Sequence, residues 1–163
     1  MDDLAKQLID LQTEDQANIR QADFCKLSAK HVAVLKEIIG KIGWPTISKV
    51  GKEASFSAWL IAQHADYDPV FQEYCLDQML AVKNDIEKKN IAYLSDRILV
   101  HQNKSQLYGT QFYTDEHGIF GPRPIDDPDQ IEARWTKMEM AGDEWKTFAE
   151  YKEYMEKKYG HRN

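Results

Sequence analysis

Apolar residues recur every three or four positions through most of this chain, and that period commits it to helices. Leu4, Leu8 and Leu11, then Val32, Leu35, Ile38 and Ile39, give residues 2–42 one dry face and one wet face. The polar run 13–20 inside this stretch is either a break between two helices or a single helix whose inward face turns hydrophilic. Gly43 and then Trp44-Pro45 close the region, because glycine suits the position past a helix and the residue before proline avoids helical geometry. A second helix is predicted over 52–65, its stripe carried by Phe56, Trp59 and Leu60, with Gln63 and His64 one turn further along. Asp68 before Pro69 reads as a start signal, a capping carboxylate followed by proline in the first helical position. The third helix then runs to about residue 88, with Phe71, Tyr74, Cys75, Gln78, Met79 and Val82 inward, and a shorter fourth covers 91–101.

The period changes after residue 105. Residues 106–113 alternate and are rich in aromatics, and Gly118 ends a turn before Ile119-Phe120, so a small β-hairpin is expected near 106–120. Gly121-Pro122-Arg123-Pro124 must be extended, and Asp127-Pro128-Asp129-Gln130 has the form of a capping box opening a helix to about residue 140. A last helix after Gly142 lines up Trp145, Phe148, Tyr151, Met155 and Tyr159 and stops at Gly160. The expected fold is mainly α, a single helical domain over 1–163 with about six helices and the one hairpin, its C-terminal part, 128–160, again helical.

Composition excludes several functions. A chain of 163 residues suits one domain, and 42% hydrophobic residues spread along its length exclude disorder. A net charge of -6, with the pairs Lys88-Lys89 and Lys157-Lys158 set beside acidic neighbours, argues against a nucleic-acid partner. No stretch approaches the ~18 consecutive apolar residues of a membrane span, and no basic-then-apolar leader follows Met1, so a cytoplasmic protein without membrane attachment is expected. Cys25 and Cys75 fall in helical apolar patterns without metal spacing and read as two buried free thiols.

Four polar clusters stand out against this background. Gln63-His64-Ala65-Asp66 ends an apolar stripe, where His64 suits a general acid or base with Asp66 or another carboxylate setting its tautomer. The plainer alternative is a histidine hydrogen-bonded at a helix C-terminus, where the dipole favours its cation. Asp96-Arg97 is a charge pair inside an apolar helix. Arg97 suits clamping a carboxylate or phosphate, while Asp96 suits orienting His64 or accepting a ligand hydroxyl, and a buried ion-pair network explains the pair equally well. On a strand, Gln106, Tyr108 and Thr110 would share one face, with Gly109 permitting close approach. Asp15, Gln16 and Arg20 form the fourth group, Gln16 and Arg20 on one helical face, and on spacing alone it reads as an ordinary solvated stretch.

Gly43-Trp44-Pro45-Thr46, Gly51, Ser55, Gln63-His64-Ala65-Asp66, Asp68-Pro69, Gln72, Asp96-Arg97, Gln106 and Tyr108-Gly109-Thr110-Gln111 together resemble a family of bacterial proteins known only as a domain of unknown function. Asp15-Gln16 and Arg20 are similar to that family's upstream motif, and the resemblance spans about 15–129. Beyond it, Glu132-Ala133-Arg134-Trp135 departs from the basic pair expected there. The resemblance implies a shared fold and a shared polar site but no reaction.

Motifs on four elements point to one hollow with His64, Asp66 and Asp96 as catalytic groups. Gln16, Arg20, Trp44, Gln63, Arg97, Gln106, Tyr108 and Gln111 would contact the ligand. A lining rich in amides suits a polar small molecule such as a sugar, a nucleoside or a peptide-like metabolite, hydrolysed or transferred by acid/base chemistry at His64. No cofactor is expected. A metal-dependent version would take His64, Asp66, Asp96 and Asp15 as ligands for a divalent ion such as Mg, Mn or Fe, although no second histidine stands close in sequence. No glycine-flanked serine supports a nucleophile mechanism. The competing reading is a non-enzymatic interaction or immunity-type module, with a protein partner and a purely structural polar cluster.

Overall fold

The computed structural model describes residues 2–142 and 144–160. Among them are eight α-helices, α1 (Asp2–Asn18), α2 (Phe24–Ile42), α3 (Ile47–Val50), α4 (Lys52–Gln63), α5 (Pro69–Ala81), α6 (Lys88–His101), α7 (Ile131–Lys137) and α8 (Phe148–Tyr159). A 3-10 turn, Pro128–Gln130, and two antiparallel strands, β1 (Phe112–Thr114) and β2 (Phe120–Pro122), complete the fold. The class is mainly helical as expected, but the helices number eight rather than about six. Two separate helices occupy 2–42, and Thr46 opens the short α3 straight after Pro45. By its internal contacts the chain divides into two compact units, Met1–Asn90 and Ile91–Asn163. None of the helices described is long and apolar enough to cross a membrane.

In the first unit α4 is the central element. Ala54, Ser55, Ser57, Ala58, Trp59, Ile61, Ala62 and Gln63 are all buried on it, so nearly every side is covered, and α1, α2, α3 and α5 each pack against it. Its small residues let α1 come close enough for the Ser57 hydroxyl to donate to Gln12 Oε1 at 2.5 Å. The polar run of α1 stays helical through Asn18, and the break falls later, where Gln21 N donates to Asn18 O and Phe24 N to Gln21 O. The break between two helices thus falls at the end of the polar run, and the inward face of α1 is hydrophilic before it at Asp15.

Asp68 caps α5 as its sequence announces, accepting from Phe71 N at 3.1 Å and from Lys36 Nζ at 2.8 Å. That helix ends at Ala81, short of residue 88, in turns whose Asp85 carbonyl accepts from Ile47 N and whose carboxylate takes Ser48 N at 3.0 Å. Ser48 and Thr46 hold the Asp85 carboxyl below its ordinary value. Tyr74, expected inside, is exposed, whereas Phe71, Cys75 and Met79 are core. Burial pushes the Cys75 thiol far up. Cys25 departs from expectation and is exposed, because it lies in the first turn of α2, before the buried stripe begins at Ser28.

The second unit is built on aromatic packing. Ile131, Trp135 and Tyr151 form its core, with Phe112, Ile125, Met140, Trp145, Phe148 and Met155 against them. The hairpin pairs Phe112 with Pro122, Tyr113 with Gly121 and Thr114 with Phe120. Asp115 Oδ1 closes its turn by accepting from His117 N and Ile119 N, and Gly118 supplies the positive φ of 78°. The hairpin begins later than expected, for residues 106–111 are a loop rather than a strand. The expected capping box at Asp127 is also absent. Asp127 adopts φ 41° and makes no side-chain cap, and a 3-10 turn leads into α7. The real cap is at α8, where Thr147 accepts from Glu150 N at 3.2 Å while Glu150 Oε2 takes Lys146 N at 2.7 Å. Trp145 precedes this helix yet still packs edge-on to Tyr151, ring centres 4.9 Å apart.

Candidate functional site

Three helices of the first unit each bring one ionisable side chain to a common point. On α1 the inward stripe that holds Leu8 returns seven residues later at Asp15, which is 1% exposed. On α2, His31 belongs to the same buried face as Val32, Leu35 and Ile38 and is 2% exposed. At the end of α4, His64 occupies the C-cap position, and its carbonyl accepts from the Ser28 hydroxyl at 3.1 Å, which ties the helix end to α2.

His64 Nδ1 lies 2.6 Å from Asp15 Oδ2, the same oxygen that takes Gln16 Nε2 at 3.1 Å. His31 stands on the other side of the carboxylate, its Nδ1 3.7 Å from Asp15 Oδ1 and its Nε2 3.1 Å from Glu14 Oε2. A carboxylate at Nδ1 makes that nitrogen the donor and leaves the lone pair on Nε2. Among the described residues no protein group is bonded to His64 Nε2, and the side chain is 13% exposed. Phe24 sets its ring edge-on to the imidazole, centres 5.8 Å apart. Beside this cluster lies a groove of about 310 Å³ lined by Glu14, Asn18, Gln21, Phe24, Leu27 and Lys30. Two of these wall residues, Glu14 and Phe24, also touch His31 and His64 respectively.

The arrangement in the second unit is different. Asp96, 0% exposed on α6, accepts from Leu107 N at 2.7 Å, Tyr108 N at 3.1 Å, Thr110 N at 2.9 Å and the Thr110 hydroxyl at 2.9 Å. Burial raises its carboxyl above the ordinary value, while these donors pull the other way. Here lies the reason that this stretch is not a strand: the N–H groups of Leu107, Tyr108 and Thr110 bond a side chain, while Gln106 makes an isolated bridge to Ile125. Gln106, also 0% exposed, braces the same loop. Its Oε1 accepts from Gln111 N at 2.8 Å, and its Nε2 donates to the carbonyls of Gln111 and Arg123. From α7, Arg134 donates to Leu107 O and Trp135 Nε1 donates to Tyr108 O at 2.8 Å.

A family model described as a family of unknown function (DUF6624) matches residues 2–163. The chain belongs to that family. Comparison with curated proteins and with solved structures found no match. Membership in DUF6624 takes in α1 and α8 alike, so it extends past both ends of the stretch, 15–129, that the motifs suggested.

The residues expected to form the site in this DUF6624 chain fall into both units. In the first, His64 meets Gln16 through Asp15, and the carboxylate on His64 is Asp15 where Asp66 or Asp96 had been expected. Asp66 is exposed, and its Oδ1 accepts from Gln72 Nε2, which also donates to the carbonyls of Ala62 and Gln63 and so caps α4. Gln63 is 5% exposed, with an Oε1 that has no hydrogen bond among the described residues. Trp44 is 2% exposed and part of the core, and Arg20 is exposed in the link between α1 and α2. In the second unit, Asp96, expected to orient His64 or accept a ligand hydroxyl, has both oxygens occupied by the loop. Arg97 is half-buried on α6. Tyr108 is half-buried, with burial and then the Asp96 charge raising its phenol. Gln111 donates to the Thr110 hydroxyl at 3.1 Å.

Sequence reasoning missed His31 and Glu14. The signal was present, since a histidine one turn before Leu35 lies within the dry stripe of α2 and needs a polar partner there. Among the described residues, no three His, Cys, Asp or Glu side chains gather as a metal would require.

Proposed function

We propose that this protein binds a polar small molecule, of the sugar, nucleoside or peptide-like classes, and acts on it by proton transfer at His64 Nε2. One observation carries the reading: an imidazole with partial access to solvent has its Nδ1 2.6 Å from a carboxylate that is itself 1% exposed. A carboxylate so deeply buried is little screened by water, so it selects the tautomer of His64 that carries its proton on Nδ1 and leaves Nε2 to accept one. Asp15 therefore takes the orienting role, and the neighbouring groove supplies amides at Asn18 and Gln21 and a cation at Lys30 for hydroxyl and anionic groups of a ligand.

The test has two stages. A panel of sugars, nucleosides and short peptides is screened by thermal shift, and each binder is then followed for conversion. His64→Gln and Asp15→Asn are expected to keep the binder while lowering turnover roughly 10²–10⁴-fold. Absence of any wild-type binder in the three classes, or turnover that survives His64→Gln, overturns the proposal.

A further inference from the structure

We infer that His31 is the positioning residue of this site, the side chain that fixes the carboxylate which in turn fixes His64. The inference rests on the acid/base reading of His64 and extends it to a residue with no direct part in the chemistry. Oδ2 of Asp15 is engaged by His64 and Gln16, whereas Oδ1 has no hydrogen bond among the described residues and faces His31 Nδ1 at 3.7 Å. His31 Nδ1 is likewise without a hydrogen bond. Both side chains are almost completely buried, at 1% and 2% exposed, so neither atom has water as an alternative. Each is left with the other as its polar neighbour.

The ring that provides this neighbour is itself held. His31 Nε2 is 3.1 Å from Glu14 Oε2, and its backbone lies on the buried face of α2 with Val32 and Leu35. Glu14 and Asp15 are consecutive on α1, so a single turn of that helix sets one carboxylate against each nitrogen of the ring. A carboxylate rotates about its Cβ–Cγ bond unless both oxygens are placed. Packed at 3.7 Å against Oδ1, the buried His31 ring favours the rotamer in which Oδ2 faces His64. Glu14 is 56% exposed and also lines the groove, so the clamp is reachable by substitution without disturbing the core.

Long-range proton–nitrogen correlation spectra of the 15N-labelled full chain in alkaline buffer read the tautomer of His64 directly. Wild type is expected to show His64 protonated at Nδ1. His31→Leu, close in volume and lacking a nitrogen, is expected to lower the ratio of Nδ1–H to Nε2–H forms about tenfold, the change that follows from loss of one orienting interaction. His31→Asn, whose amide returns a donor near Asp15, is expected to restore most of it. Glu14→Gln is expected to lower it by less. An unchanged ratio in folded His31→Leu overturns the inference, and if that variant does not fold, an unchanged ratio in Glu14→Gln does so. Asp15→Ala, which removes both oxygens that face the two rings, separates the two levels. If it shifts the tautomer while His31→Leu does not, only the role of His31 falls; if it too leaves His64 unchanged, the acid/base reading falls.

Discussion

Asp15 in the first unit and Asp96 in the second are equally hidden, 1% and 0% exposed, yet are met by different kinds of partner. Asp96 accepts from donors fixed in the backbone, which oppose the rise that burial imposes on its carboxyl. Asp15 is surrounded by side chains, two of them imidazoles that can gain or lose a proton, and one of its oxygens has no hydrogen bond among the described residues. A carboxylate saturated by N–H groups staples a loop, because its partners cannot change protonation state. The same group between histidines can set a tautomer and answer a proton transfer. Burial alone does not separate these roles; the chemistry of the partners does.

The largest effect that would break this contrast lies at Asp96. Asp96→Ala strips three backbone N–H groups and the Thr110 hydroxyl of their acceptor, and is expected to cost about 3–5 kcal/mol in urea unfolding. Asp15→Asn, which keeps an acceptor for His64 and removes a buried charge, is expected to change stability by about 1 kcal/mol or less. Equal losses from the two substitutions would show that Asp15 too is a staple. Next comes the loop that wraps Asp96. Gly109 has φ 72°, and a Cβ there would meet Phe148 Cε2 at 2.3 Å, so Gly109→Ala is expected to lose about 2–4 kcal/mol by the same measurement.

A third aspartate gives the lower end of the scale. Asp68, half-exposed at the start of α5, is held below its ordinary 3.8 first by the Lys36 hydrogen bond and further by Phe71 N–H. Its contribution is complete above pH 3.8 and drains away as the pH falls through the lower folded value. Asp68→Ala is expected to cost about 1 kcal/mol at neutral pH, and the gap from wild type should close on acid titration. A gap that widens in acid would overturn the assigned cause.

Much of the architecture was legible in the chain itself. Leu4, Leu8 and Leu11 announced α1, and their phase leads on to Asp15; Asp68-Pro69 announced the start of α5, and Gly118 the hairpin turn. The illegible parts share one character. The alternation at 106–111 resembled a strand because a side-chain acceptor and a neighbouring strand satisfy the same N–H groups, and local pattern does not tell them apart. The Thr147 cap was overshadowed by the stronger-looking Asp127, whose positive φ points the chain elsewhere.

Periodicity and caps report what each residue does to its own backbone within a turn or two, and from them follow the helical class, the dry faces and the polar end of α4. Which carboxylate meets His64 was settled only by packing. Asp15 lies 49 positions away, and small residues along α4 let α1 close upon it. Such a choice depends on approach between segments distant in sequence, and no local pattern encodes that distance.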